Sequence, residues 1–471
     1  MRTGIRAATW AIAATVGLAA TVLVDVPDVT ARTHGEQDAD RDRRGDGRSG
    51  AMKPMPPFDG RFAALAPDYY RLAWTADGYP GRREKDGSIY EHPIYPIYVL
   101  KNYIDQNTAH PDDTLRDAID TVARAAVKRM RGYKGALVFW YAPGTVTRQP
   151  RRHYSALTQA YYAQWLWRAA LVTGDGDLRT AARGAFRSLT LPDSRGGVLF
   201  QDRNGTSLAE VPTQPNSYVL NGWQSALVAT WGYYQLSGNP GAARLVRDSA
   251  KAMVRLLHVY DAPEAANSRY SLTGYTCLRT VGTNLKNAVV TVPGEGVFGL
   301  IGLKSPWENH RVDARRVNLV LSMASSPRPN LVRLKVDRPA RVQVRVGSYD
   351  ALHSSPVHTH WVGIGTVSPR RPTIKIPWSV AKSVAVPTNF IKRIGGKHTN
   401  VYHPIHVHKL RRLAEITGIG QLDRWATRWS KAMCTWGTRY RGLYVSSSGS
   451  TGLTPTAKLC KSGPRGDRDS R

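Results

Sequence analysis

The 471 residues fit two to three domains, and an apolar fraction of 42% supplies a sizeable core, which excludes a wholly disordered chain. Lys and Arg number 66 against 35 Asp and Glu, a formal charge of +31 that favours polyanionic partners: nucleic acid, anionic lipid, teichoic-type phosphate or acidic polysaccharide. The 3 cysteines show no CxxC spacing, so they give no zinc site; an extracellular pair is permitted, with Cys434 and Cys460 the closer two in sequence.

Arg2 and Arg6 precede the apolar run Ala7 to Val24, ended by Asp25, and Val29-Thr30-Ala31 reads as a small-residue cleavage site. The run is a signal peptide or an uncleaved signal anchor, through which residues 7–24 would hold the chain at a membrane. Either form places the body outside the cytoplasm, secreted or at the cell surface, and argues against nucleic acid. Residues 32–57 are charged and rich in Gly and Pro, as in a disordered stalk, and 461–471 read alike.

Helical spacing appears near 93–107, 112–131, 153–174, 176–190, 217–237, 240–258, 402–417 and 420–435. In 217–237, Tyr218, Leu220, Trp223, Leu227, Trp231 and Tyr234 form a broad apolar face for a helix packed on several sides. Thr173-Gly174-Asp175-Gly176 and Ser237-Gly238-Asn239-Pro240 end one helix and cap the next. Asp112 and Asp113 after Pro111 read as a helix cap, and Asn204-Gly205-Thr206 as a turn rather than a glycosylation acceptor. Links this short imply four antiparallel hairpins. The expected fold is mainly α, an incomplete α/α toroid. Within it, 278–398 carries short β-branched runs, near 317–322, 331–336, 342–348 and 373–377, read as an inserted β-sandwich-like unit. The domain plan is thus 1–31 signal, 32–57 linker, 58–277 first helical part, 278–398 insertion, 399–460 last helical part and 461–471 tail. The insertion is open to three roles: covering the cleft, binding glycan, or joining two copies as a homodimer.

Four segments carry a resemblance. They are His153-Tyr154-Ser155-Ala156-Leu157-Thr158-Gln159, Glu210-Val211-Pro212-Thr213-Gln214-Pro215-Asn216-Ser217-Tyr218-Val219-Leu220-Asn221-Gly222, Tyr402-His403-Pro404-Ile405-His406-Val407-His408-Lys409-Leu410 and, shorter, Ser268-Arg269-Tyr270-Ser271-Leu272. In this order they resemble the C-terminal catalytic domain of the D-glucuronyl C5-epimerases, as an exported bacterial-type member. The resemblance covers roughly 93–275 and 399–435. It implies an α/α-type toroid, inversion at C5 of a uronic acid within a polymer, and no redox cofactor. It also implies a catalytic Glu at Glu210 and two tyrosines at Tyr270 and Tyr402. The family's tyrosine directly after the Glu is absent, and Val211 stands there.

C5 epimerisation removes a carbon proton beside a carboxylate and returns one to the opposite face, so two acid/base groups must flank the ring. A Glu base needs a pKa raised by burial, and a Tyr base one lowered by cations. Arg269 beside Tyr270, and His403 and His406 beside Tyr402, are the candidate cations, which would also meet the substrate carboxylate. Glu210 and Tyr402 form the expected opposed pair, Tyr270 assists, and Tyr154 and Asn221 position the sugar. Plainer readings stand beside these: Glu210 as a solvated loop carboxylate, Tyr402 with His406 as a packed pair, Tyr154 as core, Asn221 as a helix amide with a buried partner. His403 and His406 share a helical face from which His408 diverges, and no HExxH occurs, so no metal is expected. Arg148, Arg151 and Arg152 form a candidate polyanion rim, and Trp140 and Tyr141 stack on sugar or line the core.

The leading reading is an epimerase on an acidic polysaccharide. A lyase would share the proton removal but expel the C4 substituent. A hydrolase needs two carboxylates, and only Glu210 stands out. A non-catalytic glycan-binding envelope protein is the alternative outside enzymes. The catalytic readings require Glu210, Tyr270 and Tyr402 to converge in one cleft.

Overall fold

A computed structural model describes residues 54–59, 72–141, 152–299, 314–349, 356–387, 391–394, 397–400 and 402–435. The expected export segment, most of the expected stalk, the expected tail, Cys460, Arg148 and Arg151 lie outside these. Cys277 is a free, buried thiol and Cys434 is disulfide-bonded.

Four helical hairpins run through the chain: α1 (Ile94–Ala109) with α2 (Asp113–Arg129), α3 (Ala156–Thr173) with α4 (Gly176–Ser188), α5 (Leu220–Ser237) with α6 (Pro240–Tyr260), and, beyond the short α7 (Trp378–Val384), α8 (Tyr402–Thr417) with α9 (Gly420–Ala432). Their ends follow the sequence signals. Asp112 accepts from the Leu115 amide at 2.9 Å, Asp175 from Asp177 at 2.7 Å, and Asn239 from Gly241 at 2.9 Å. Gly174 and Gly238 close α3 and α5 at φ 79° and 69°, where a side chain would be strained. The first helix of each hairpin packs on the first of the next, α1 on α3, α3 on α5 and α5 on α8. α3 and α5 are buried almost all round, whereas α2, α4, α6 and α9 bury a single stripe. Two helical layers result.

The mainly α expectation holds in part: helices predominate, but sheets are mixed with them. Three short strands, β1 (Leu72–Trp74), β2 (Pro80–Arg83) and β3 (Ile89–Tyr90), precede α1. The hairpins β4 (Arg131–Tyr133)–β5 (Ala136–Val138) and β6 (Leu199–Asp202)–β7 (Gly205–Leu208) link the helical pairs, the second turning at Arg203 and Asn204, one residue before the turn read at Asn204-Gly205-Thr206. After the two-residue β8 (Asp261–Ala262), the β-rich part begins with β9 (Asn267–Val281), ahead of the expected boundary at 278. β9 lies between β12 (Arg316–Ser322) and β14 (Ala340–Tyr349), and β15 (Pro356–Val367) pairs with β14. A second antiparallel sheet orders β11 (Gly296–Gly299), β10 (Leu285–Val292), β13 (Asn330–Val336) and β16 (Thr373–Ile376). Val332, Leu334 and Val336 of one sheet and Val317, Leu319, Val342 and Val344 of the other join one core with the helices. β17 (Ala385–Pro387) pairs with β9, and β18 (Ile391–Ile394) with β19 (Lys397–Asn400).

The start of β9 fastens the β part to the helices. The Ser268 amide donates to His403 Nδ1 at 2.9 Å, and the Ser268 hydroxyl lies 2.8 Å from both His403 Nδ1 and His406 Nδ1. His403 Nε2 lies 2.9 Å from the Trp429 carbonyl. An amide can only donate, so His403 carries its proton on Nε2 and bridges β9, α8 and α9 as a neutral ring. Burial holds the His403 pKa down at about 4 and drives that of His406 well below its usual value.

Such imidazoles bind fewer protons folded than unfolded between about pH 4 and the unfolded value near 6.5. Their contribution is complete above that value and falls as pH drops through the window, by up to about 1.4 kcal/mol per pH unit for each ring. Ser268→Ala should cost roughly 1–3 kcal/mol in denaturant unfolding near neutral pH, because a buried Nδ1 loses its partner. An unchanged midpoint would remove the clamp.

Candidate active site

Glu210 sits in the loop between β7 and α5. Its neighbour Ala209 is fixed on two sides, accepting from the Ala156 amide at 3.1 Å and donating to Val198 at 2.9 Å. The loop ends at Tyr218, whose φ of 50° is uncommon for a bulky residue; the Tyr260 hydroxyl donates to its carbonyl at 2.6 Å. The loop is therefore held by named bonds and delivers Glu210 inward. The side chain is 1% exposed, and neither carboxyl oxygen has a hydrogen-bond partner among the described residues. It is not the solvated loop carboxylate of the plainer reading.

Gly222, in the first turn of α5, leaves the space that this carboxyl fills. A Cβ there would stand 2.5 Å from the Glu210 Cβ and closer still to the carboxyl. Burial drives the Glu210 pKa well above its usual value, and the Lys409 charge pulls it partly back. Lys409 lies on α8, seven residues after Tyr402 and so two turns along the same face. The residue is half-buried; desolvation lowers its ammonium pKa to about 8, against the raising effect of Glu210. Among the described residues, Lys409 donates no hydrogen bond and forms no ion pair.

Tyr270, from β9, and Tyr402, opening α8, meet edge to face with ring centroids 5.0 Å apart. Burial raises both phenol pKa values, and the Glu210 charge raises them further. The structure thus brings Glu210, Tyr270 and Tyr402 together. It does not lower the tyrosine pKa values: both phenols are held neutral, contrary to the expectation of a Tyr base.

The expected cations are elsewhere in role. Arg269 is fully buried and alternates to the face of β9 opposite Tyr270, where its guanidinium donates to the Lys382 carbonyl at 3.3 Å. His403 and His406 are neutral and engaged by Ser268, so they do not charge the site. Tyr154 is core: its hydroxyl donates to the Ser188 carbonyl at 2.9 Å and its ring meets Trp140 edge-on. Arg152 covers the Trp140 ring at 4.2 Å. Asn221, beside Gly222, is fully buried, and neither amide atom has a partner among the described residues. Val211 is buried where the family tyrosine would stand.

Two further tyrosines couple to Glu210: Tyr161, which escaped the sequence reading, and Tyr141, which entered it only as a ring that stacks on sugar or lines the core. Tyr141 is brought in by its amide bond to His153 (2.9 Å), and its hydroxyl lies 2.5 Å from that of Thr158. Tyr161, on α3, bonds the Ser225 side chain. Burial raises the Tyr161 pKa to about 12 and that of Tyr141 further, and the Glu210 charge adds to both.

Residues 141–288 match the family model described as D-glucuronyl C5-epimerase C-terminus. The match bears out the resemblance carried by His153 to Gln159, Glu210 to Gly222 and Ser268 to Leu272, and supports a C5-epimerase-like function in general terms. It begins at Tyr141, contains Glu210 and Tyr270, and ends before Tyr402. No curated protein matches the chain.

A buried acid with a raised pKa favours the folded state while protonated and withdraws that support as pH rises above the unfolded value near 4.3. Glu210→Gln should therefore raise Tm near pH 7 by about 2 °C or more, seen by calorimetry, and an unchanged or lowered Tm would contradict the desolvated carboxyl. Gly222→Ala gains helix propensity of up to about 1 kcal/mol, yet displaces Glu210. It should lower turnover by about a hundredfold while the fold survives by circular dichroism.

Proposed function

We propose that the chain inverts C5 of uronic acid residues, glucuronate to iduronate type, in an acidic polysaccharide. The supporting observation is an unpartnered, desolvated carboxyl at Glu210 whose charge acts on the buried, neighbouring phenols of Tyr270 and Tyr402. Ionised Glu210 removes the C5 proton. The electron pair passes into the carboxylate as an enediolate, and Tyr402 returns a proton to the opposite face, with Tyr270 assisting. Tyr141 and Tyr161 stand near enough to supply the phenol missing at Val211. The orphaned amide of Asn221 is suited to a sugar hydroxyl, whose binding would satisfy it.

The two-layer row of hairpins fits an incomplete α/α toroid, open at one side to a polymer. A charge of +31 draws a polyanion to it. Glucuronan or heparosan-like chains are the first substrates to test, at the cell surface or outside the cell, where the expected export signal would deliver the protein. The β part would cover the cleft or join two copies.

Glu210 acts as base only when ionised, so kcat/KM should rise with pH through a value well above the ordinary carboxylate range. The direct test is NMR of a glucuronic-acid polymer with the protein in heavy water. Deuterium at C5 with iduronate-type signals is expected. Glu210→Gln should abolish it and Tyr402→Phe lower it by about a hundredfold or more. Unsaturated chain ends would show a lyase instead, and binding without exchange a glycan-binding protein.

A further inference from the structure

We infer that the outer face of the sheet formed by β12, β9, β14 and β15 is a docking platform for a uronic-acid polysaccharide, held through Arg279, Arg341 and Arg345 and separate from the Glu210 site. The choice of occupant rests on the proposed function; the platform itself does not.

Register puts these side chains on one face. Arg279 of β9 stands opposite Arg316 of β12 on one side and Gln343 of β14 on the other. Arg345 of β14 stands opposite Trp361 of β15, and Arg341, Gln343 and Arg345 alternate to the same face. Their neighbours Leu278, Val317, Val342 and Val344 turn the other way, into the core. Outward, Arg279 Nε donates to Gln343 Oε1 at 2.7 Å. The guanidinium carbons of Arg279 and Arg345 lie 4.3 and 5.0 Å from the centre of the Trp361 ring. Gly363, opposite Gln343, keeps the middle of the face open: a Cβ there would meet nothing within 4 Å.

A cation resting on a surface indole is common packing, and one arginine is enough for it. Here two guanidiniums share one ring, and Arg279 also stands directly across from Arg316, an arrangement of like charges that costs stability. Acidic neighbours would offset that cost, yet none of the four strands contains Asp or Glu. Arg279 and Arg341 form no ion pair among the described residues, and Arg341 is exposed. A repeating polyanion supplies the missing charge. Guanidiniums already fixed by Trp361 and Gln343 lose little freedom on binding, and their planar fork matches a carboxylate. The match to the D-glucuronyl C5-epimerase C-terminus points to uronate as the anion. Arg279 lies nine residues beyond Tyr270 on β9, about 30 Å of strand. That span suits a polymer, which would be held at the platform while one of its units reaches Glu210.

Titration calorimetry of the whole protein with a long β-1,4-linked polyglucuronate, at pH 7 and low ionic strength, tests the platform. Arg279→Gln combined with Arg345→Gln should weaken binding by at least about tenfold. The same pair changed to Lys keeps the charge without the planar fork and should recover part of the loss. Arg341→Gln, at an exposed position where folding is not at stake, should weaken binding by about threefold. Arg244→Gln with Arg247→Gln removes two exposed charges from α6 and should change affinity by less than about twofold. Equal losses from the sheet pair and the α6 pair would overturn the assignment, because the overall charge would then explain binding. Unchanged affinity in the sheet pair and in Arg341→Gln would overturn it as well. So would a loss seen only with phosphatidylglycerol vesicles titrated in parallel, which would give the face to a membrane. Exchange at C5 in the intact protein reads the chemistry separately. No exchange, together with the tenfold loss, removes the epimerase and keeps the platform; exchange with unaltered polymer affinity in the variants does the reverse.

Discussion

A carboxyl taken out of water without a hydrogen-bond partner is costly, and the surroundings of Glu210 are organised by that cost. The glycine at 222 makes the space, and the loop bonds at Ala209 and Tyr218 prevent retreat to solvent. Lys409 offsets part of the penalty through its charge without cancelling it. The result is a buried carboxyl of raised pKa whose charge acts on phenols that burial keeps protonated. Such unlike groups are what the proposed proton removal and return at carbon would demand.

The pocket depends on the junction between the two kinds of structure in the chain. Glu210 comes from a loop of the helical part, Tyr270 from a strand that continues into a sheet, and Tyr402 from a helix that follows the whole β-rich part. Ser268, two residues before Tyr270, binds His403, one residue after Tyr402. Registration of the two tyrosines therefore rests on a buried serine–histidine–carbonyl chain reaching Trp429. Residues that first look like catalytic cations turn out to be the fastening of the site, and their neutrality is a consequence of that burial.

Much of this was legible locally. Helix ends were readable because Asp112, Gly174, Asp175, Gly238 and Asn239 act on their own turns, within a few residues. Glu210, Tyr270 and Tyr402 were legible only through resemblance, since nothing in their own segments makes them converge. The early start of β9 was hidden because pairing with distant β12 and β14 decides it. Arg269 was placed beside Tyr270 by sequence adjacency, which a strand converts into opposite faces. Lys409 had a readable signal, seven residues after Tyr402 on one helix. Tyr141 was legible as an aromatic that stacks on sugar or lines the core, but not as a neighbour of Glu210, because a backbone bridge to His153 brings it in.

The claim beneath all of this is that Glu210 is a desolvated carboxyl of raised pKa. Carbon-13 NMR titration of protein labelled at the glutamate side-chain carboxyl measures it, with the resonance assigned by its loss in Glu210→Gln. A resonance that titrates well above 4.5 is the expected result, and one that titrates near 4.5 would contradict the buried, unpartnered base.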